Sequence, residues 1–243
     1  MKTTIITILI TFLTAASALA DRQAEAEARH LRRTGGSCEK PGKGFVAIIN
    51  AQSLVPLATI KAGADALRRQ TRLDFRIVAN EAEAKDGGLV IRLVSEENQP
   101  PMLASPETGW AQVNVRALGE DLKTDSARAK FLPLRAQKML TRAFAYAAGV
   151  GGTGYAKNLF DTVTLRDIDY YDNVLPVDVC VHAIEHVSRR GIIPSEEKSY
   201  VQACREGWAP APTNDIQKAV WEKVHAIPNK PLKIEFNPKT DAK

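Results

Sequence analysis

Beyond its opening segment the chain has no unbroken apolar run of about 18 residues, the length that marks a membrane-crossing helix, so no second membrane segment is predicted. It also lacks a clustered basic face interleaved with aromatic residues. Lysine and arginine number 33 against 28 acidic residues, the formal charge is +5, and aromatics make up 6%. The pairs Arg32-Arg33, Arg68-Arg69 and Arg189-Arg190 are dispersed and read as solvated helix faces, so no nucleic-acid partner is expected. A phosphate loop is missing as well. The glycine cluster "GVGGTG" at 149–154 has no Walker lysine, and it follows a helical segment where phosphate loops precede one, so it reads as a helix-ending turn.

What is present begins with "MKTTIITILITFLTAASALA", one lysine followed by an apolar stretch that ends in the small residues Ala18 and Ala20. This is the pattern of a secretory signal, residues 1–20, cut after Ala20, and the mature chain is expected to be secreted or periplasmic. Removing it takes away Lys2 and no carboxylate, so the formal charge drops by one. Residues 21–43 contain "RRTGGSCEKPGK" and are expected to be a flexible lead-in. In an exported chain the three cysteines raise the question of pairing. Cys180 with Cys204 is the preferred bridge, because the two flank one helix-turn-helix segment, and Cys38 is then left over.

From residue 44 the pattern is regular. "GFVAIINA" reads as a buried strand, "ATIKAGADALRRQTR" as an amphipathic helix and "LDFRIVAN" as a second strand. "GGLVIRLVSEE" and "GWAQVNVRAL" give further strands, with "PPMLASPE" a short extended piece held by prolines. Met139, Leu140, Ala143, Phe144, Ala147 and Ala148 then recur at helical spacing and Gly149 stands where a helix stops, which predicts a helix over 135–149. The expected fold class is α+β, a mixed β-sheet packed on helices over residues 44–172, followed by a C-terminal helical extension and tail over 173–243. In that extension two helices are expected to meet at 191–195, with Pro194 as start signal and Ser195 as cap. A third helix carries Trp221, and "LKIEF" has strand-like alternation; Trp221 and Phe236 are read as core plugs.

A strand, a helix and further strands leading into one long helix that breaks at glycine resembles the metzincin zinc-peptidase domain, particularly its short archaemetzincin-like members, over about residues 43–170. The family's motif H-E-x-x-H-x-x-G-x-x-H falls here on Arg142, Ala143, Tyr146, Gly149 and Gly152, and only the glycine at Gly149 matches. The resemblance therefore implies a peptidase-like cleft at Arg142, Tyr146, Gly149 and Gly152 with a degenerate metal site, no bound cofactor, and zinc as the alternative. With Met1, Met102 and Met139 as the only methionines, the family's later methionine turn is also missing. "TLRDID" at 164–169 is similar to a segment downstream of the family's helix.

Other residues keep catalysis open. "HAIEH" places His182 and His186 four apart on one helix face, with Glu185 just before the second, the H-x-x-E-H outline of inverted zinc peptidases. His225 is a candidate to complete the histidine set. "LFDTVTL" sets Asp161 and Thr162 after two apolar residues, like the turn of aspartic peptidases, although Val163 replaces the glycine; Asp167, Asp169 and Asp172 are the aspartates that could share its proton. Two classes follow. One is an exported peptidase-like binding protein that takes extended peptides or glycoproteins, pairing with them along a sheet edge near "PPMLASPE". The other is a working secreted protease, a metallopeptidase through His182 and His186 or an aspartic type through Asp161, with Asp161 and Glu185 the catalytic candidates.

Overall fold

A computed structural model describes residues 22–151, 158–161 and 164–226; of Asp161 only the backbone is described. The chain divides into two compact units, one made of Met1–Lys40 with Glu197–Lys243 and the other of Pro41–Glu196. In chain order, helix α1 covers 22–34. It is followed by β1 (Ser37–Lys40), β2 (Val46–Ile49), α2 (Leu57–Thr71), β3 (Phe75–Val78), α3 (Glu81–Ala84), β4 (Leu89–Val94) and β5 (Met102–Ser105). Then come β6 (Trp110–Asn114), α4 (Val115–Leu118), α5 (Asp125–Ala147), a single 3-10 turn (Leu159–Asp161), α6 (Leu165–Tyr170) and α7 (Val177–Ser188). The last elements are β7 (Glu196–Ser199), α8 (Tyr200–Arg205) and α9 (Asp215–His225).

The larger unit is an α+β layer built on a five-stranded mixed sheet of order β3-β2-β4-β6-β5. The inner strand β2, "VAII", is buried at every position as a strand covered on both faces must be. β3 and β4 flank it in parallel, with Ile48 opposite both Ile77 and Ile91. β6 continues in parallel beside β4, and β5 ends the sheet antiparallel to β6, Ala104 facing Ala111. Side chains alternate across the sheet with a period of two. Val46 and Ile48 enter the main core, whereas Phe45, Ala47 and Ile49 form a smaller cluster with Ala84.

α5 seals the main-core face. Thr124 caps its start by accepting from the Ala127 N–H, and Asp125 stands in the first turn where the helix dipole favours an anion. Met139, Leu140, Ala143, Phe144 and Ala147 form its fully buried stripe, and the Phe144 ring meets Phe75 edge-on with centroids 5.3 Å apart. Gly63 lets α2 approach closely, since a Cβ there would lie 3.1 Å from a Leu140 methyl. α7 also belongs to this unit: Val179, Ala183 and Val187, at i, i+4 and i+8, are buried in the same core.

Several expectations are corrected. Residues 22–34 are helical and Ser37–Lys40 is a strand, so the lead-in has regular structure. The long helix begins at Asp125, ten residues before the expected start, and includes Pro133. Between α7 and the next helix lies β7, and the helix start falls at Tyr200 under a Ser199 cap that accepts from the Gln202 N–H, not at Ser195. The division of the chain falls at 40/41 and 196/197, so residues 173–196 are part of the sheet-bearing unit rather than an extension. α9 buries none of its residues; Trp221 stacks on His225 with ring centroids 4.2 Å apart and plugs no core. The expected signal at 1–20, "LKIEF", Phe236 and Gly152 lie outside the described residues.

Candidate functional site

The outer edge of the sheet and the exposed side of α5 meet at one cleft. β5 is an edge strand, and among the described residues only β6 pairs with it. The Asn114 N–H donates to Pro101 O at 2.9 Å, which makes Pro101 and Asn114 a hydrogen-bonded pair of the antiparallel ladder. Alternation along β5 then points the backbone groups of Leu103 toward β6, while those of Met102 and Ala104 point outward. The edge thus offers main-chain donors and acceptors to an extended chain. Beside it, Pro101, Met102, Met139, Arg142, Leu165 and Ile168 line a cleft of about 220 Å³.

Arg142 and Tyr146 project from α5 at i, i+4, and both are half-buried. The Arg142 guanidinium carbon lies 5.4 Å from the Tyr146 ring centroid, within cation–π range. Tyr146 is itself braced by the Phe160 ring, with centroids 6.4 Å apart and planes 21° from parallel. The cation at the cleft is therefore held by an aromatic side chain that is fixed in turn.

The fold family that the sequence resembles would place zinc on this helix, and the residues present do not fit it. A zinc site needs nitrogen, sulfur or carboxylate donors in a tetrahedral set. An arginine guanidinium such as that of Arg142 offers hydrogen-bond donors and no lone pair for a metal, and Ala143 has no polar side-chain atom and is fully buried in the core. Among the described residues no group of three His, Cys, Asp or Glu side chains converges on a point.

The histidine pair of α7 does other work. His182 is exposed, with Nδ1 3.5 Å from Glu185 Oε2. The His186 Nδ1–H donates to Ala148 O at 2.9 Å, so this imidazole satisfies a carbonyl at the C-terminal end of α5, where a donor is favoured. Gly149 makes that contact possible. Its φ is +88°, and a Cβ would sit 2.9 Å from His186 Nδ1. Gly149 is exposed beside Pro106, His186 and Arg189, in a shallow depression separate in its lining from the Arg142 cleft. His225 donates from Nδ1 to Trp221 O at 2.8 Å, and among the described residues it belongs to no group of three metal-capable side chains.

Two of the aspartates named as partners for Asp161, whose side chain lies outside the described residues, are engaged with other groups. Asp167 closes a capping box with Thr164 at the start of α6. Asp169 is bound to Arg135, Nε to Oδ1 at 2.8 Å and Nη2 to Oδ2 at 2.7 Å. Arg190 is likewise no solvated charge: it donates to Pro106 O and Glu107 O.

Arg135 is the polar feature that sequence reasoning missed. It is 1% exposed, donates to both carboxylate oxygens of Asp121 and both of Asp169, and donates to Leu118 O at 2.7 Å. Hydrogen bonding to the two carboxylates pushes its pKa above the ordinary arginine value and pulls that of Asp121 below the ordinary carboxylate range. The signal in the sequence was its position one turn before Met139, on the buried stripe.

The expected Cys180–Cys204 bridge is absent, and all three cysteines are thiols. Each thiol has local surroundings of its own: Cys180 donates to Gln70 O at 3.4 Å, and Cys204 is buried on the helix face it shares with Tyr200. Burial raises the pKa of each thiol.

With this geometry in hand, comparison with known proteins gives a likeness to solved zinc-peptidase structures. A zinc-dependent peptidase from Methanocorpusculum labreanum is 12% identical, covering 58% of this chain and 100% of that one with a TM-score of 0.44. An archaemetzincin from Methanopyrus kandleri is 13% identical over 60% of this chain and 96% of its own, with a TM-score of 0.45. An archaemetzincin from Archaeoglobus fulgidus, crystallised with malonate, is 10% identical over 57% and 99%, with a TM-score of 0.40. No family model and no curated relative matches the chain.

Proposed function

We propose that this chain is an exported, peptidase-like protein that binds extended peptides along β5 and does not hydrolyse them through a metal on α5. The observation that carries the reading is the outward-facing backbone of Met102 and Ala104 on an antiparallel edge strand, running beside a cleft that holds Arg142. An added peptide strand gains main-chain hydrogen bonds at the edge and a charge-assisted one where a carboxylate meets the guanidinium. Extended peptides with an acidic side chain or a free C-terminus are the favoured ligands, and the part of the active helix that would activate water is replaced by the Arg142–Tyr146 stack.

The test is binding of labelled acidic peptides by fluorescence anisotropy. Arg142→Ala should weaken binding about tenfold, the loss of one charge-assisted hydrogen bond of ~1.5 kcal/mol. Ala104→Pro removes an outward N–H without breaking the ladder to β6, so it should weaken binding while leaving the melting curve close to that of the native chain. Robust peptide cleavage by the native chain that persists in a chelator and vanishes in Arg142→Ala would overturn the non-catalytic reading.

A further inference from the structure

The smaller unit brings two cysteines to one place. The Tyr200 N–H donates to Gly36 O at 2.9 Å, and the Cys38 thiol donates to Lys198 O at 3.7 Å. The first segment steps forward from 36 to 38 while the second steps back from 200 to 198, so β1 and β7 run antiparallel and Cys38 stands opposite Lys198, at the foot of α8. On α8, Tyr200 and Cys204 are four residues apart and share a helix face. That face is turned toward β1's approach: a Cβ on Gly35 would lie 2.9 Å from the Tyr200 Cβ. Tyr200 is completely buried and Cys204 is 5% exposed, whereas Cys38 is half-buried and reachable. α8 itself packs against β1, the strand that carries Cys38. Cys180, by contrast, is held against Gln70 in the other unit.

We propose that Cys38 and Cys204 form an oxidisable thiol pair that closes to an intrachain disulfide on meeting a low-molecular-weight disulfide. The thiolate of Cys38, the more accessible sulfur, attacks one sulfur of the oxidant; that disulfide breaks, one thiol leaves, and Cys38 carries the other half as a mixed disulfide. The Cys204 thiolate then attacks the Cys38 sulfur, the Cys38–Cys204 bond forms and the second thiol leaves. The two cysteine protons pass to the two released thiols, the protein is oxidised by two electrons, and the oxidant is reduced by two. Burial holds both thiols above their ordinary pKa, so the exchange is slow at neutral pH. The bond would join the two sequence segments of the smaller unit and add a covalent link to the two-stranded β1–β7 sheet, a marginal structure by itself. It stands independently of the peptide-binding reading.

Peptide mapping decides the matter. The purified full chain and its Cys38→Ser, Cys180→Ser and Cys204→Ser variants are incubated with excess oxidised glutathione in mildly alkaline buffer, alkylated, digested without reduction and read by mass spectrometry. The expected result is a linked Cys38–Cys204 peptide in the native chain and in Cys180→Ser, absent from the other two variants and removed by a reductant. Oxidation should also slow proteolysis within residues 22–40 of the native chain. Linkage through Cys180, or three cysteines glutathionylated separately with no intrachain link, overturns the proposal. If Cys204→Ser does not fold, Cys38→Ser, altered at a half-buried strand position, gives the same decision.

Discussion

Replacing Arg135 by methionine should destabilise the larger unit strongly, and the structure sets the size of the effect. The guanidinium is 1% exposed and neutralises Asp121 and Asp169, whose side chains are 32% and 18% exposed. Methionine fills much of the volume but leaves the Asp121 and Asp169 carboxylates without the guanidinium that binds both. Removing one partner of a buried ion pair costs ~3–5 kcal/mol, chiefly because the charge left behind is uncompensated. Partial exposure of Asp121 places this case at the lower end, about 3 kcal/mol. Asp169→Asn should cost less, since the guanidinium keeps Asp121. The pH dependence is a second readout. The hydrogen bond from Arg135 depresses the Asp121 carboxyl in the folded chain, so this group contributes stability that is fully present above its unfolded pKa, near 3.8, and is lost as pH falls through the lower folded value. The native chain should lose stability below about pH 4, and Arg135→Met should lose this part of its acid dependence. Urea unfolding followed by circular dichroism, at neutral pH and through the acid range, measures both. A variant within about 1 kcal/mol of the native chain, or one with the same acid dependence, would refute the reasoning.

Gly149→Ala should destabilise by ~1–3 kcal/mol, because the residue sits at positive φ and the new methyl would press on His186; adding His186→Ala should recover only the steric part, which thermal melts of the single and double variants would separate. The purified chain should hold well under one zinc per molecule after mild dialysis. About one equivalent by elemental analysis, lost in the His182→Ala, His186→Ala double variant, would instead revive a metallopeptidase.

The sheet was largely legible because its strands carry strong patterns. β2 is a solid apolar run and β4 alternates buried and half-buried residues along its length, and both lie where sequence reading puts them. β1 "SCEK" and β7 "EEKS" carry no hydrophobic period; backbone pairing alone defines them, and periodicity is blind to that. The first ten residues of α5 were missed for a related reason. They include Pro133, which reads locally as a helix start, yet the Thr124 cap nine residues upstream sets the true one. Ser195 and Ser199 are equivalent as caps in sequence, and only the Gln202 N–H, lying within reach of Ser199, distinguishes them.

Sites are harder to read because they join residues that sequence keeps apart. Arg135 reaches Asp121 and Asp169 across 14 and 34 positions, and a charged residue in a helix is ordinarily solvated. The pair His182 and His186 shows the opposite difficulty: correct metal spacing is a local property, while a site needs a third donor from elsewhere in the fold, and none joins the pair among the described residues. The cleft was more accessible to reasoning. The i, i+4 relation of Arg142 and Tyr146 and the extended character of "PPMLASPE" are both local, and what remained was whether β5 lies at an edge. Pro101 bears on that point. It cannot donate to β6, so the segment entering β5 has one fewer bond to the sheet, a loss tolerated at an edge and not in the middle of a sheet. If the proposed peptide binding holds, a surface of this kind would recognise main chain broadly with the Arg142 cation to discriminate among side chains, which suits capture of many extended peptides with a common acidic group better than selection of a single sequence.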